Sequence, residues 1–163
     1  MVKVGDSAPD FSLPSTNGET VSLKSLRGSC AVLYFYPRDN TPGCTMEACD
    51  FRDNTPALKK AGVRVLGVSK DSLESHERFR EKRSLPFELL YDEGNQVAKA
   101  YGAYGPKKIV GIKTTGFIRS TFLIGPKGSI EVPRDPSGSL GGPILGSLGG
   151  GSVAEAGRRA GSI

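Results

Sequence analysis

Residues 31–36, Ala-Val-Leu-Tyr-Phe-Tyr, form the longest unbroken apolar run of the chain, and their β-branched and aromatic content predicts a central strand covered on both faces. Pro37 ends it. A second such run, residues 63–69, predicts another buried strand. Between the two, a polar turn at residues 38–43 leads into a segment whose pattern suits a helix from Cys44 to about Ala61, closed by Gly62. Residues 72–83 read as an exposed amphipathic helix capped by Asp71 or Ser72, with Glu74 and Arg78 at i,i+4 spacing. His76 lies in this charged stretch and is expected to face solvent. Downstream, the pattern predicts a short strand at 86–91, a helix at 96–101, a strand at 120–124 and its hairpin partner at 130–132 across Gly125-Pro126-Lys127-Gly128. Upstream, residues 10–14 and 20–23 flank Asn17-Gly18 and read as an edge hairpin. The alternation of strand and helix implies a three-layer α/β domain with a parallel core to its sheet.

Composition divides the chain unevenly. Of its 163 residues and 22 glycines, the last 31 residues hold nine Gly, five Ser and three Pro, whereas all twelve aromatics lie at or before Phe122. The folding unit is therefore expected to be residues 1–132, and residues 133–163 a disordered Gly/Ser/Pro-rich tail. Only 153–160 within that tail has any helical character, and it carries almost no apolar face.

The net charge of +5 is a mild basic excess, below what nucleic-acid binders concentrate on one face, so no nucleic-acid partner is expected. No run approaches the ~18 apolar residues of a membrane span, and the N-terminus lacks the apolar core of a signal peptide. A cytoplasmic protein without a membrane partner is expected. The Gly-rich tail contains no phosphate-loop pattern.

Three cysteines are an odd count for a secreted disulfide framework. Cys30 matches no motif and reads as a small buried residue. Cys44 and Cys49 follow a turn, which leaves redox chemistry or metal binding open. The turn places Cys44 at a helix N-terminus, where unpaired N–H groups and the macrodipole favour thiolate, the nucleophilic form. Five helical residues further on, Cys49 stands about 7.5 Å along the axis and roughly 140° around it. A bridge between the two would require the first turns of that helix to unwind. Zinc held by both cysteines and His76 is disfavoured, because the five-residue spacing is not C-x-x-C; no metal is expected.

Pro37-x-x-x-Thr41-x-x-Cys44 resembles the peroxidatic motif of the peroxiredoxins. The longer string Thr41-Pro42-Gly43-Cys44-Thr45-x-Glu47-Ala48-Cys49 is similar to the bacterioferritin comigratory protein, or peroxiredoxin Q, subgroup. The likeness extends over about residues 4–132 and includes Gly5-Asp6-x-Ala8-Pro9-Asp10-Phe11, Tyr34-Phe35-Tyr36-Pro37 and Arg119-Ser120-Thr121-Phe122-Leu123-Ile124. It implies a thioredoxin-like fold, a central mixed sheet flanked by helices, and a thiol-specific peroxidase that needs no cofactor. By the same resemblance, Cys44 would attack the peroxide and become a sulfenic acid. Thr41 would hydrogen-bond the sulfur and the peroxide oxygen, Pro37 would wall the pocket, and Arg119 would stabilise charge on the thiolate and on the peroxide. Cys49 would resolve the sulfenic acid to a Cys44–Cys49 disulfide, reopened by thioredoxin or a similar dithiol. The implied substrates are hydrogen peroxide and organic hydroperoxides, and the subgroup favours a monomer over a dimer.

Two rivals remain from the sequence. One is a thiol-disulfide exchange protein on the same fold, weakened by the missing C-x-x-C. The other is a redox-regulated interaction module in which the tail recruits partners. Relatives continue past residue 132 with a final amphipathic helix, where this chain has Pro133-Arg134-Asp135-Pro136 and then the glycine-rich stretch.

Overall fold

The computed structural model describes residues 5–109, 111–118 and 120–132. The expected tail, and the helical character noted at 153–160, lie outside the described residues. In chain order the elements are β1 (Ser12–Pro14), β2 (Thr20–Ser22), β3 (Cys30–Phe35), α1 (Pro42–Lys60), β4 (Val63–Ser69), α2 (Leu73–Arg83), β5 (Glu88–Tyr91), α3 (Gln96–Ala100), β6 (Tyr104–Ile109), β7 (Ile112–Phe117), β8 (Ser120–Ile124) and β9 (Ile130–Val132). Five strands form one mixed sheet in the order β5-β4-β3-β8-β9. Strands β3, β4 and β5 run parallel, while β8 lies antiparallel to β3 and β9 antiparallel to β8.

Every residue of β3 is buried, which follows from its central place with α-layers on both faces. Its side chains alternate between two cores. Ala31, Leu33 and Phe35 join Phe11, Leu66, Val68, Tyr101, Phe117 and Phe122 on one face. Cys30, Val32, Tyr34 and Tyr36 join Cys44, Ala48, Phe51, Leu58, Phe79 and Phe87 on the other. The second core is built around aromatic rings: Tyr34 stacks on Phe51 at 4.5 Å between centroids and on Tyr36 at 5.5 Å. Gly67 of β4 makes that stack possible, since a Cβ there would come within 2.8 Å of both the Tyr34 ring and Leu89.

Helix α1 ends at Gly62, whose φ of +76° suits the left-handed closure. Ser72 caps α2 by accepting a hydrogen bond from the Ser75 backbone N–H at 3.2 Å. The N-terminal hairpin is present as β1–β2, with Leu13 opposite Val21.

One element has no counterpart in the sequence reading. Strands β6 and β7 form a separate antiparallel hairpin with Tyr104 opposite Phe117. Its base is apolar and buried: Phe117 is buried and Tyr104 packs edge-on against it at 6.1 Å, while Ile112, Lys113, Thr114 and Thr115 further along are exposed. A hairpin held mainly by its main chain leaves no alternating apolar pattern to read.

Candidate active site

The site grows from the end of β3. Tyr36 leaves the strand with its backbone N–H donated to Val68 at 3.1 Å, and Pro37 turns the chain out of the sheet. Residues 38–41 then reverse direction before α1 begins at Pro42, a position where the absent N–H costs the helix nothing. Asn40 takes a left-handed conformation at φ 61°. Thr41 is the N-cap residue, yet its side chain does not cap; the hydroxyl donates instead to the Arg38 carbonyl at 3.1 Å, while the Thr41 carbonyl accepts from the Thr45 N–H at 2.8 Å.

Cys44 is the third residue of α1 and only 1% exposed, enclosed in the aromatic core. Ala48 and Phe51, at i+4 and i+7, follow it onto the buried face. Cys49 lies off that face and is half-buried. Neither cysteine is in a disulfide, and the helix runs unbroken from Pro42 to Lys60 through them. Pro37 and Thr41 are half-buried beside the turn. The structure thus brings Pro37, Thr41 and Cys44 into one short segment, with Cys49 on the same helix. Arg119 lies outside the described residues. The strand that follows it starts at Ser120, which is buried and pairs with Phe35 at the end of β3. Cys30 is buried at the opposite end of β3, and burial, then Glu131, push its thiol pKa up from the ordinary value.

His76 corrects the sequence reading: it is fully buried, not solvent-facing. The stretch around it is rich in charge, but α2 buries His76 and Phe79, three residues apart on one face, and this face sets which side chains go in. Beneath the turn, His76 Nδ1 stands 2.7 Å from Asp39 Oδ2 and Nε2 stands 3.0 Å from the Leu90 carbonyl. The Tyr36 hydroxyl donates to Asp39 Oδ1 at 2.6 Å and the Ser75 hydroxyl to Asp39 Oδ2 at 2.8 Å. The Asp39 N–H itself donates to Asp71 Oδ2 at 2.6 Å. Burial, and then the negative charge of Asp39, hold the Tyr36 phenol well above its usual pKa. Sequence reasoning missed this group. Its one local signal was His76 three residues before Phe79, the sole aromatic of α2.

Among the described residues, no group of three His, Cys, Asp or Glu side chains could hold a metal ion. The sequence model of the AhpC/TSA family matches residues 4–132. The chain belongs to the AhpC/TSA family. A putative peroxiredoxin bcp of Coxiella burnetii is 51% identical over 130 residues, covering 80% of this chain and 86% of the relative. Among solved structures, a cysteine-to-serine mutant of Xanthomonas campestris peroxiredoxin Q superposes with a TM-score of 0.78 at 33% identity, covering 92% of this chain and 95% of the other. A trapped intermediate/ligand complex of Xanthomonas campestris bacterioferritin comigratory protein, described for its alkyl peroxide reduction activity, gives a TM-score of 0.74 at 31% identity and covers 98% of both chains. This AhpC/TSA member is therefore a peroxiredoxin of thioredoxin-like fold, a thiol-dependent peroxidase.

Proposed function

We propose that Cys44 is the nucleophile and that its cycle runs through Cys49. The observation that carries this reading is the placement of a single enclosed thiol in the first turn of α1, directly behind the Pro37-to-Thr41 turn. The Cys44 thiolate attacks one oxygen of ROOH, the O–O bond breaks, and Cys44 becomes a sulfenic acid while the departing oxygen takes a proton and leaves as ROH. The Thr41 hydroxyl, already donating to Arg38, can still accept a hydrogen bond from the peroxide O–H. Arg119 supplies the positive charge for the leaving oxygen, and Pro37 limits access of bulk water.

The Cys49 thiol then attacks the sulfenic sulfur, releasing water and forming a Cys44–Cys49 disulfide. In the intact helix the pair is separated by about 7.5 Å of rise, so the segment from Pro42 to Cys49 unwinds first. A thioredoxin-type dithiol reduces the disulfide and restores both thiols. Hydrogen peroxide and organic hydroperoxides are the substrates; the alkyl peroxide reduction described for the Xanthomonas protein supports the second class. The enzyme acts as a cytoplasmic monomer, with residues 1–132 as its catalytic unit. No helix among the described residues is long and apolar enough to cross a membrane.

A peroxide-reduction assay with thioredoxin and thioredoxin reductase tests the cycle. Cys44→Ser is expected to lose at least about a thousandfold in turnover, the scale of removing a catalytic nucleophile. Cys49→Ser should keep its first turnover and then stall with oxidised Cys44 accumulating. Undiminished activity in Cys44→Ser would overturn the assignment, and a Cys44 disulfide to Cys30 in oxidised wild type would remove Cys49 from the cycle.

A further inference from the structure

The histidine beneath the turn is not explained by packing alone. The Leu90 carbonyl can only accept, so His76 Nε2 carries a hydrogen and the ring orientation is set. Nδ1 faces a carboxylate oxygen at 2.7 Å, and one proton shared between the two atoms completes that bond. The ring is fully buried and the Asp39 side chain is 1% exposed. Asp39 belongs to no helix or strand; it sits in the reversal between Pro37 and Thr41, next to the left-handed Asn40. Four bonds to other parts of the fold converge on this one residue. Tyr36 comes from the end of β3, Ser75 and His76 from α2, and Asp71 from the segment after β4. Asp71 is held in turn by its N–H donating to the Ser69 hydroxyl at 3.1 Å. The titratable groups facing the pair are thus Tyr36 and Asp71, with Leu90 supplying a backbone carbonyl.

We propose that His76 is a positioning residue for peroxide reduction: acting through Asp39, it holds the Pro37-to-Thr41 turn in register with the start of α1. The inference rests on Cys44 being the peroxidatic thiol. The turn carries Pro37 and Thr41 and delivers the chain to Cys44, so its register decides where a peroxide sits relative to the sulfur. The device works by geometry. In Asp39→Asn the side-chain carbonyl still accepts from Tyr36, one amide hydrogen goes to Nδ1 of a ring that keeps its hydrogen on Nε2, and the other goes to the Ser75 hydroxyl oxygen, which reverses that bond. That variant keeps the same partners around a neutral side chain.

The experiment uses the full chain in a Cys49→Ser background, which isolates the first step. Two rates are measured on folded protein well below its melting temperature: oxidation of Cys44 by hydrogen peroxide, and alkylation of Cys44 by iodoacetamide followed by mass spectrometry. Alkylation needs a thiolate and access but no oriented peroxide. His76→Leu and Asp39→Ala are expected to lower the peroxide rate by at least about tenfold without lowering the alkylation rate, as expected when a reactant is misplaced by a fraction of an ångström to an ångström. Asp39→Asn is expected to rescue most of the loss seen in Asp39→Ala, and it serves as the second arm if His76→Leu does not fold. Folded His76→Leu or Asp39→Ala with an unchanged ratio of the two rates would overturn the proposal, as would Asp39→Asn falling as far as Asp39→Ala. An unreactive Cys44 in the parent protein would instead overturn the assignment of the nucleophile itself.

Discussion

The two ends of α1 are built differently. From Pro42 to Cys49 the helix buries Cys44 and Ala48, leaves Met46 70% exposed and lacks a side-chain cap. From Asp50 onward it buries Phe51, Thr55 and Leu58. There the Asn54 amide and the Thr55 hydroxyl donate to carbonyls one turn back, at 2.8 and 2.7 Å. Arg52 ties this half to the end of α2 by donating to the Arg83 carbonyl at 2.8 Å. A helix opens first where it buries least apolar surface. The segment that holds both cysteines is the less anchored one, and a Cys44–Cys49 bridge demands the opening of that segment alone.

The largest effect on this comparison should come from the anchored half. Phe51→Ala removes the ring stacked on Tyr34 and is expected to cost about 3–5 kcal/mol of stability, read from denaturant unfolding. If it costs no more than an exposed substitution, the rear of α1 is not the anchor.

A smaller effect is expected from the turn that feeds the front half. Tyr36→Phe removes the hydroxyl that Asp39 accepts from and should cost about 1.5–3 kcal/mol at neutral pH. The Tyr36 pKa is raised in the folded state, so its contribution is complete below the unfolded value near 10.0 and is lost as pH rises through the folded value. The stability gap between wild type and Tyr36→Phe should therefore narrow above about pH 10, in unfolding curves taken from pH 8 to 11. A gap that widens with pH would contradict the buried, neutral phenol.

Least affected should be the exposed front. Met46→Gln is expected to change stability by less than about 0.5 kcal/mol. A large loss would show that the first turns of α1 are held by a contact at Met46.

Much of the fold was legible because the information is local. Strands β3 and β4 are apolar runs ended by Pro37 and by Ser69, and α1 follows a polar turn and is closed by Gly62, so neither needs a distant partner to be recognised. The candidate segment stood out for the same reason, since Pro37, Thr41, Cys44 and Cys49 fall within thirteen consecutive positions. The β6–β7 hairpin was not, because its middle is polar and exposed and its apolar pairs, Tyr104 with Phe117 and Ile109 with Ile112, stand at its two ends and do not alternate along it. His76 was misread because its sequence neighbours are Glu and Arg, while its partner Asp39 lies 37 residues away.

The sequence by itself determined the family and most of the element order, which reside in short runs and fixed spacings. Tertiary structure alone decided which face of α2 turns inward, and therefore that the only histidine of the chain lies under the turn preceding the thiol. Helical periodicity permits several buried faces. The choice among them belongs to the sheet, which offers the Leu90 carbonyl and, through the end of β3, the Asp39 carboxylate to satisfy a buried imidazole.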